Sequence, residues 1–164
     1  MLSILEDVAA LLQRDLEGLQ REVALFPDDQ LLWTTPAGVT NSAGNLALHV
    51  AGNIQHFIGR EIGGLPFERD REAEFGRRRG SRDELVDHVR RALVAVTTVL
   101  PQLDEGQLAA RFDAHAGVSM TTQRFLLHLC THTAFHVGQV GYLRRIVTGD
   151  SRSTNTVSAG RLQS

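Results

Sequence analysis

The sequence contains no lysine; all 17 basic residues are arginine. A Schiff-base lysine, a phosphate-loop lysine and a kinase-type lysine are thereby excluded together. Cysteine occurs once, at Cys130, so neither an internal disulfide nor a multi-cysteine zinc or iron–sulfur site can form. There is no Gly-x-Ser-x-Gly elbow and no glycine-rich phosphate fingerprint. No apolar run is long enough for a membrane span. The N-terminus, with Glu6 and Asp7 inside a helical pattern, lacks the basic region of a signal peptide. A cytoplasmic location is the expectation. A broad basic surface is missing too: 19 acidic residues give a formal net charge of −2, and the densest basic run is Arg77-Arg78-Arg79, between Gly76 and Gly80. That triplet reads as a solvated loop. Neither nucleic acid nor membrane is expected as a partner; a small-molecule substrate is. Histidine or carboxylate must carry the chemistry.

What is present is helical spacing. With 164 residues, 42% of them hydrophobic, one compact domain is expected. Leu5, Val8, Leu12, Leu16, Leu19, Val23 and Phe26 recur at three- and four-residue steps and predict a first amphipathic helix ended by Pro27. A second helix is expected from Asn41 or Ser42 to about Ile62, stopped by Gly63-Gly64. The third starts at Ser81, with Glu84 at capping-box spacing, carries Val86, Val89, Leu93, Val96 and Leu100, and closes at Pro101. The fourth runs from Thr121 or Thr122 to Thr148, with Gly149 as C-cap. No strand pattern stands out. The expected fold class is all-α, a four-helix bundle over residues 1–148 with long connections. In the first of these, Leu31, Leu32 and Trp33 can fold onto an open end of the core. Residues 149–164, rich in Ser, Thr, Gly and Arg, read as a mobile tail with nothing to bury.

The seven histidines are the most informative residues. Phe125, Leu129, His132, His136, Val140, Leu143 and Val147 form one seam on the fourth helix, so two imidazoles occupy core-facing positions. At i, i+4 they lie about 5–6 Å apart at Cβ, close enough to share a metal ion, which would also offset their desolvation. His49, beside the second-helix stripe of Leu46, Val50 and Phe57, is a candidate third ligand. Three imidazoles from two helices leave a coordination position open, as in a catalytic centre. His56 and His128 compete with His49 for that place, or line the pocket, or are polar surface. His88 and His115 are expected in solvent. The segment His132-Thr-Ala-Phe-His136 lacks the glutamate of His-Glu-x-x-His, so a metalloprotease base is missing there. Cys130 points about 200° away from His132 around the helix, at ~100° per residue, and reads as packing. Gln139, three residues after His136, and Asn53, four after His49, are read either as cofactor or substrate contacts beside the metal or as amides bonding between helices.

The stretches His132-Thr-Ala-Phe-His136-Val-Gly-Gln139 and Leu46-Ala-Leu-His49-Val-Ala-Gly-Asn53 resemble the fourth- and second-helix motifs of the DinB-like (YfiT-type) superfamily. Gly64-Leu-Pro-Phe-Glu-Arg69-Asp70-Arg71-Glu-Ala-Glu74-Phe75 resembles a segment of one branch of it. The resemblance implies a four-helix bundle, often homodimeric, that holds a divalent metal such as zinc or nickel through His49, His132 and His136. It further implies chemistry on a low-molecular-weight thiol, as in bacillithiol transferases and mycothiol-dependent isomerases, where the metal lowers the thiol pKa. A metal-binding bundle without catalysis and a metal-assisted hydrolase are the alternatives; Glu61 and Glu74 lie too far along the chain to place as a base. Arg69, Asp70, Arg71 and Glu74 are read as ordering the second long connection by ion pairing, in preference to touching an acidic cofactor.

Overall fold

A computed structural model describes residues 3–115 and 117–162. Four long helical stretches dominate: α1 (Ser3–Ala24), α3 (Ala43–Ile54) continued by a π-helix (Gln55–Ile62), α5 (Arg82–Val99) and α7 (Thr122–Thr148). Three short helices lie in the connections: α2 (Asp29–Leu32), α4 (Arg71–Gly76) and α6 (Glu105–Ala109). Both α1 and α3 pack against α5 and against α7, so the core lies among all four long elements. Every apolar residue of the first-helix pattern, from Leu5 through Phe26, is buried.

Local chemistry sets the boundaries. Ser42 and Asn45 form a reciprocal capping box that starts α3. At α5, Ser81 accepts from the Glu84 N–H, but the Glu84 carboxylate takes the Arg77 guanidinium at 2.7 Å instead of returning to the cap. The buried stripe of α5 is Leu85, Val89, Ala92, Val96 and Val99, with Val86 and Leu93 only half-buried at its edge. Gly149 closes α7 at φ 70°, a left-handed conformation that costs a residue without Cβ little. Leu32 and Trp33 do fold onto the core, and Trp33 Nε1 donates to the Gly80 carbonyl at 2.8 Å.

Two features depart from the sequence reading. A hairpin, β1 (Arg111–His115) with β2 (Val118–Thr121), occupies the third connection; the pairing is antiparallel, with a register shift between Asp113 and His115. Its alternation is short and only half-buried, with Phe112, Ala114, Val118 and Met120 on the covered side. Phe112 stacks on Phe125 of α7 at 4.6 Å, which lays the hairpin beside the helix that carries His132. The second departure is the segment after α7. Thr156 is buried against α1, where a methyl group at Gly18 would overlap its side chain. Arg144, fully buried, donates to Glu22 Oε2 at 2.6 Å and to the carbonyls of Asp150 and Arg152. Thr154 donates to the other Glu22 oxygen at 2.6 Å. These residues have a polar partner to bury against, which composition alone conceals.

Candidate metal centre

The cluster is assembled by α3 and α7. His49 sits on α3 at 6% exposure; His132 and His136, one turn apart on α7, are half-buried. They therefore lie beside the seam, whose fully buried positions are taken by Thr133 and Val137. His49 Nε2 lies 3.3 Å from His132 Nε2, and one nitrogen from each of the three rings falls within 4.8 Å of the others. The rings stand edge to face, with centroids 4.6–5.2 Å apart. Bonds of about 2.0–2.1 Å to a tetrahedral ion imply nitrogens about 3.3–3.4 Å apart, so the His49–His132 spacing fits a shared ion as it stands.

Two of the rings have their outer nitrogens anchored. Glu74 Oε2 accepts from His49 Nδ1–H at 2.9 Å, which leaves the Nε2 lone pair pointing at the cluster. Gln139 Oε1 accepts from His136 Nδ1–H at 2.7 Å and does the same for that ring. Partners of this kind fix tautomer and orientation in metal-binding histidines. His132 Nδ1 is buried with no hydrogen-bond partner among the described residues. Burial first, and then the neighbouring His136 and His49, push the His132 imidazole down to about 4. Burial also lowers His136, against the pull of its Gln139 bond. Both are neutral near pH 7 and present lone pairs, as a metal requires.

Glu74 is held in turn. Arg69 Nε donates to Oε1 at 2.7 Å and Arg69 Nη2 to Oε2 at 2.9 Å, a bidentate fork. Burial alone would raise the Glu74 carboxyl, but the hydrogen bonds from His49 and Arg69 outweigh it and hold the group below its ordinary range. Since both oxygens are engaged, Glu74 orients His49 and is not free to act as a water-activating base. Backbone packing makes room for it: the carboxylate lies across Gly52, where any Cβ would collide with Oε1. Asp70 caps α4 through the Ala73 N–H, and Asn45 Nδ2 donates to the carbonyls of Glu74 and Arg77 at 2.9 Å. Of the four residues expected to order the second connection by ion pairing, Arg69 and Glu74 do pair, Asp70 contributes as a helix cap and Arg71 makes no ion pair among the described residues, while the reach of Glu74 to His49 was concealed by sequence distance.

A family model described as the DinB superfamily matches residues 8–140. The chain belongs to the DinB superfamily. A conserved protein from Enterococcus faecalis, known from its crystal structure, is 21% identical and superposes with a TM-score of 0.68 over 87% of this chain and 96% of that one. At that identity the likeness speaks to the fold. No curated protein matches. The mostly helical DinB-like fold and a three-histidine cluster able to hold a metal ion agree with what His49, His132 and His136 led us to expect.

The other candidates fall around a cleft of about 730 Å³ that His49 and His132 line, while His136 and Gln139 face an adjoining pocket. Asn53 is buried at the cleft wall, and its Oδ1 has no partner among the described residues. His56 meets Phe57 edge to face, 4.7 Å between centroids, with its Nδ1 also unpartnered among the described residues. His128 is exposed, 5.8 Å from His132 by ring centroids. Neither replaces His49. His115, expected in a loop, ends β1 and lines the cleft mouth; His88 is half-buried on α5, its Nδ1 facing Arg91 at 3.0 Å. Cys130 is buried, with its thiol against the Val8 carbonyl, and lies outside the cleft as anticipated. Among the described residues no helix is long and apolar enough to cross a membrane.

Proposed function

We propose that this protein is a divalent-metal enzyme on a four-helix bundle, with His49, His132 and His136 as the metal ligands and a low-molecular-weight thiol as the group it activates. The observation that carries the reading is the convergence of three imidazole nitrogens within 4.8 Å, with Glu74 and Gln139 fixing the two outer rings. When bound, a zinc- or nickel-class ion supplies Lewis acidity that lowers the pKa of a thiol in its open coordination position. His49 and His136 hold their Nε2 atoms toward that ion through their carboxylate and amide partners. His132 brings the third nitrogen from the cleft floor. Asn53, with a free side-chain carbonyl, accepts a hydrogen bond from the bound small molecule, and Gln139 acts through His136. The engagement of both Glu74 oxygens favours thiol activation over hydrolysis by a carboxylate-assisted water.

Metal analysis by plasma mass spectrometry tests the reading. About one divalent ion per chain in the wild type and none in His132→Ala supports it; no metal after reconstitution with zinc and nickel refutes it. Perturbation of a cobalt-substituted centre by added thiols separates thiol activation from a purely structural metal.

We also propose a homodimer formed through the outer face of α7. Phe135, Tyr142 and Ile146 are 61–67% exposed there, and an apolar face of that kind is costly to leave in water. Light scattering at the column outlet should give twice the chain mass, falling to one chain mass in Tyr142→Arg.

A further inference from the structure

The cleft beside the cluster is lined by two arginines, by five histidines that include His49 and His132, and by no carboxylate. Glu74 is turned away behind His49 and Arg69. The two guanidinium groups differ in what they are doing. Arg69 is consumed by Glu74 in a bidentate fork. Arg71 makes no ion pair and no side-chain hydrogen bond among the described residues. It lies over the Phe75 ring, 5.3 Å from guanidinium carbon to centroid, and that ring packs against His49 at 4.8 Å. The stack of Arg71, Phe75 and His49 runs from the cleft mouth to the metal-ligand cluster. An exposed arginine ordinarily loses side-chain entropy when it grips a ligand; one supported on an aromatic face is already oriented.

Charge arithmetic defines the ligand. Arg69 and Glu74 cancel, so the cleft wall presents one uncompensated cation, Arg71, beside aromatic and amide surface. A planar guanidinium with its fork unoccupied matches a carboxylate in two parallel hydrogen bonds. A phosphate dianion needs more: the mouth offers no second free arginine and no lysine. We propose that the cleft takes a small organic acid whose carboxylate is gripped by Arg71, so that the rest of the molecule extends along Phe75 toward the imidazole cluster. This deepens the functional reading above and rests on it only in taking the cleft as the working site. Arg71 is then a specificity residue, selecting carboxylates over their neutral counterparts.

Isothermal titration of the full-length protein tests it, in the metal-free and zinc-loaded forms, with benzoate, succinate, benzamide and inorganic phosphate as probes. The expected result is that benzoate or succinate binds at least about tenfold tighter than benzamide, with affinity falling as salt rises. Arg71→Ala should lose about tenfold or more of that affinity, and Arg71→Lys should retain part of it. The same Arg71 dependence in metal-free protein supports the proposal even if the chain proves to hold no metal. Carboxylate binding that needs zinc and ignores Arg71 overturns it while leaving the metal reading intact. Binding of phosphate in preference to carboxylate, equal binding of benzamide, or no binding of any probe in either form overturns it as well.

Discussion

Glu74 and His49 are 25 positions apart in the chain, yet the carboxylate oxygen of one lies 2.9 Å from the ring nitrogen Nδ1 of the other. That contact makes a residue of the short helix α4 part of the candidate metal centre. Glu74→Gln keeps the size of the side chain but loses the charge that holds the His49 tautomer. Metal affinity measured by chelator competition should fall about 10–100-fold, with the fold unchanged by circular dichroism. An unaltered affinity would make the contact incidental.

Gly52 should behave as part of the same device. A methyl group there displaces the Glu74 carboxylate, since Oε1 occupies the space directly above it. Gly52→Ala improves helix propensity by about 1 kcal/mol, yet it should weaken metal binding about as much as Glu74→Gln. A variant that is more stable and binds metal normally would show that Glu74 has another place to go.

Arg144 and Glu22 form a fully buried ion pair. Arg144→Met leaves the buried Glu22 carboxylate with the Thr154 hydroxyl but without its guanidinium, and should cost about 3–5 kcal/mol by urea denaturation. Adding Glu22→Gln should recover part of that loss, because the unpaired charge is then gone. A loss under about 1 kcal/mol in the single variant would mean that water reaches the pair.

Cys130 provides a pH test away from the histidine cluster. Burial, with a smaller push from Asp15, raises its thiol to about 11. Iodoacetamide at pH 8 should label the native chain far more slowly than the urea-unfolded one. In the unfolded chain the thiol ionises near its ordinary value, so from about pH 9 to 11 the folded form binds more protons than the unfolded one. Stability therefore declines with rising pH across that window, and Cys130→Ala should flatten the decline. Rapid labelling of native protein would place the thiol in solvent.

The helices were legible in the sequence because each buries one stripe. Leu5 to Phe26 announced α1, and Ser81 and Gly149 marked their boundaries through capping chemistry that needs only neighbouring residues. The three clustered histidines were legible from their spacing at i, i+4 and beside apolar stripes, although His132 and His136 lie next to the buried seam and Thr133 and Val137 within it. Glu74 was not, since its partner is reached only after α4 folds back over Gly52, and chain spacing carries no record of that turn. Arg144 and Glu22 were hidden by the ordinary assumption that charged residues face water. The β1–β2 hairpin was missed because its two strands, of five and four residues, are too short for their alternation of exposed and half-buried positions to stand out. A hint of Glu74 was available in Gly52 itself, a glycine in mid-helix one turn beyond His49.

The cavity for the Arg144 guanidinium has a practical consequence for handling the protein. Two of its acceptors are main-chain carbonyls of Asp150 and Arg152, past the last residue of α7 and past residue 140, where the family match stops. A shortened chain designed to stop at Thr148 would keep every α-helix and still strip a buried cation of two of its acceptors. Such a chain should express as a soluble but heat-labile species. A fusion partner joined at Ser164 would leave those carbonyls in place, whereas one joined at Gly149 would not.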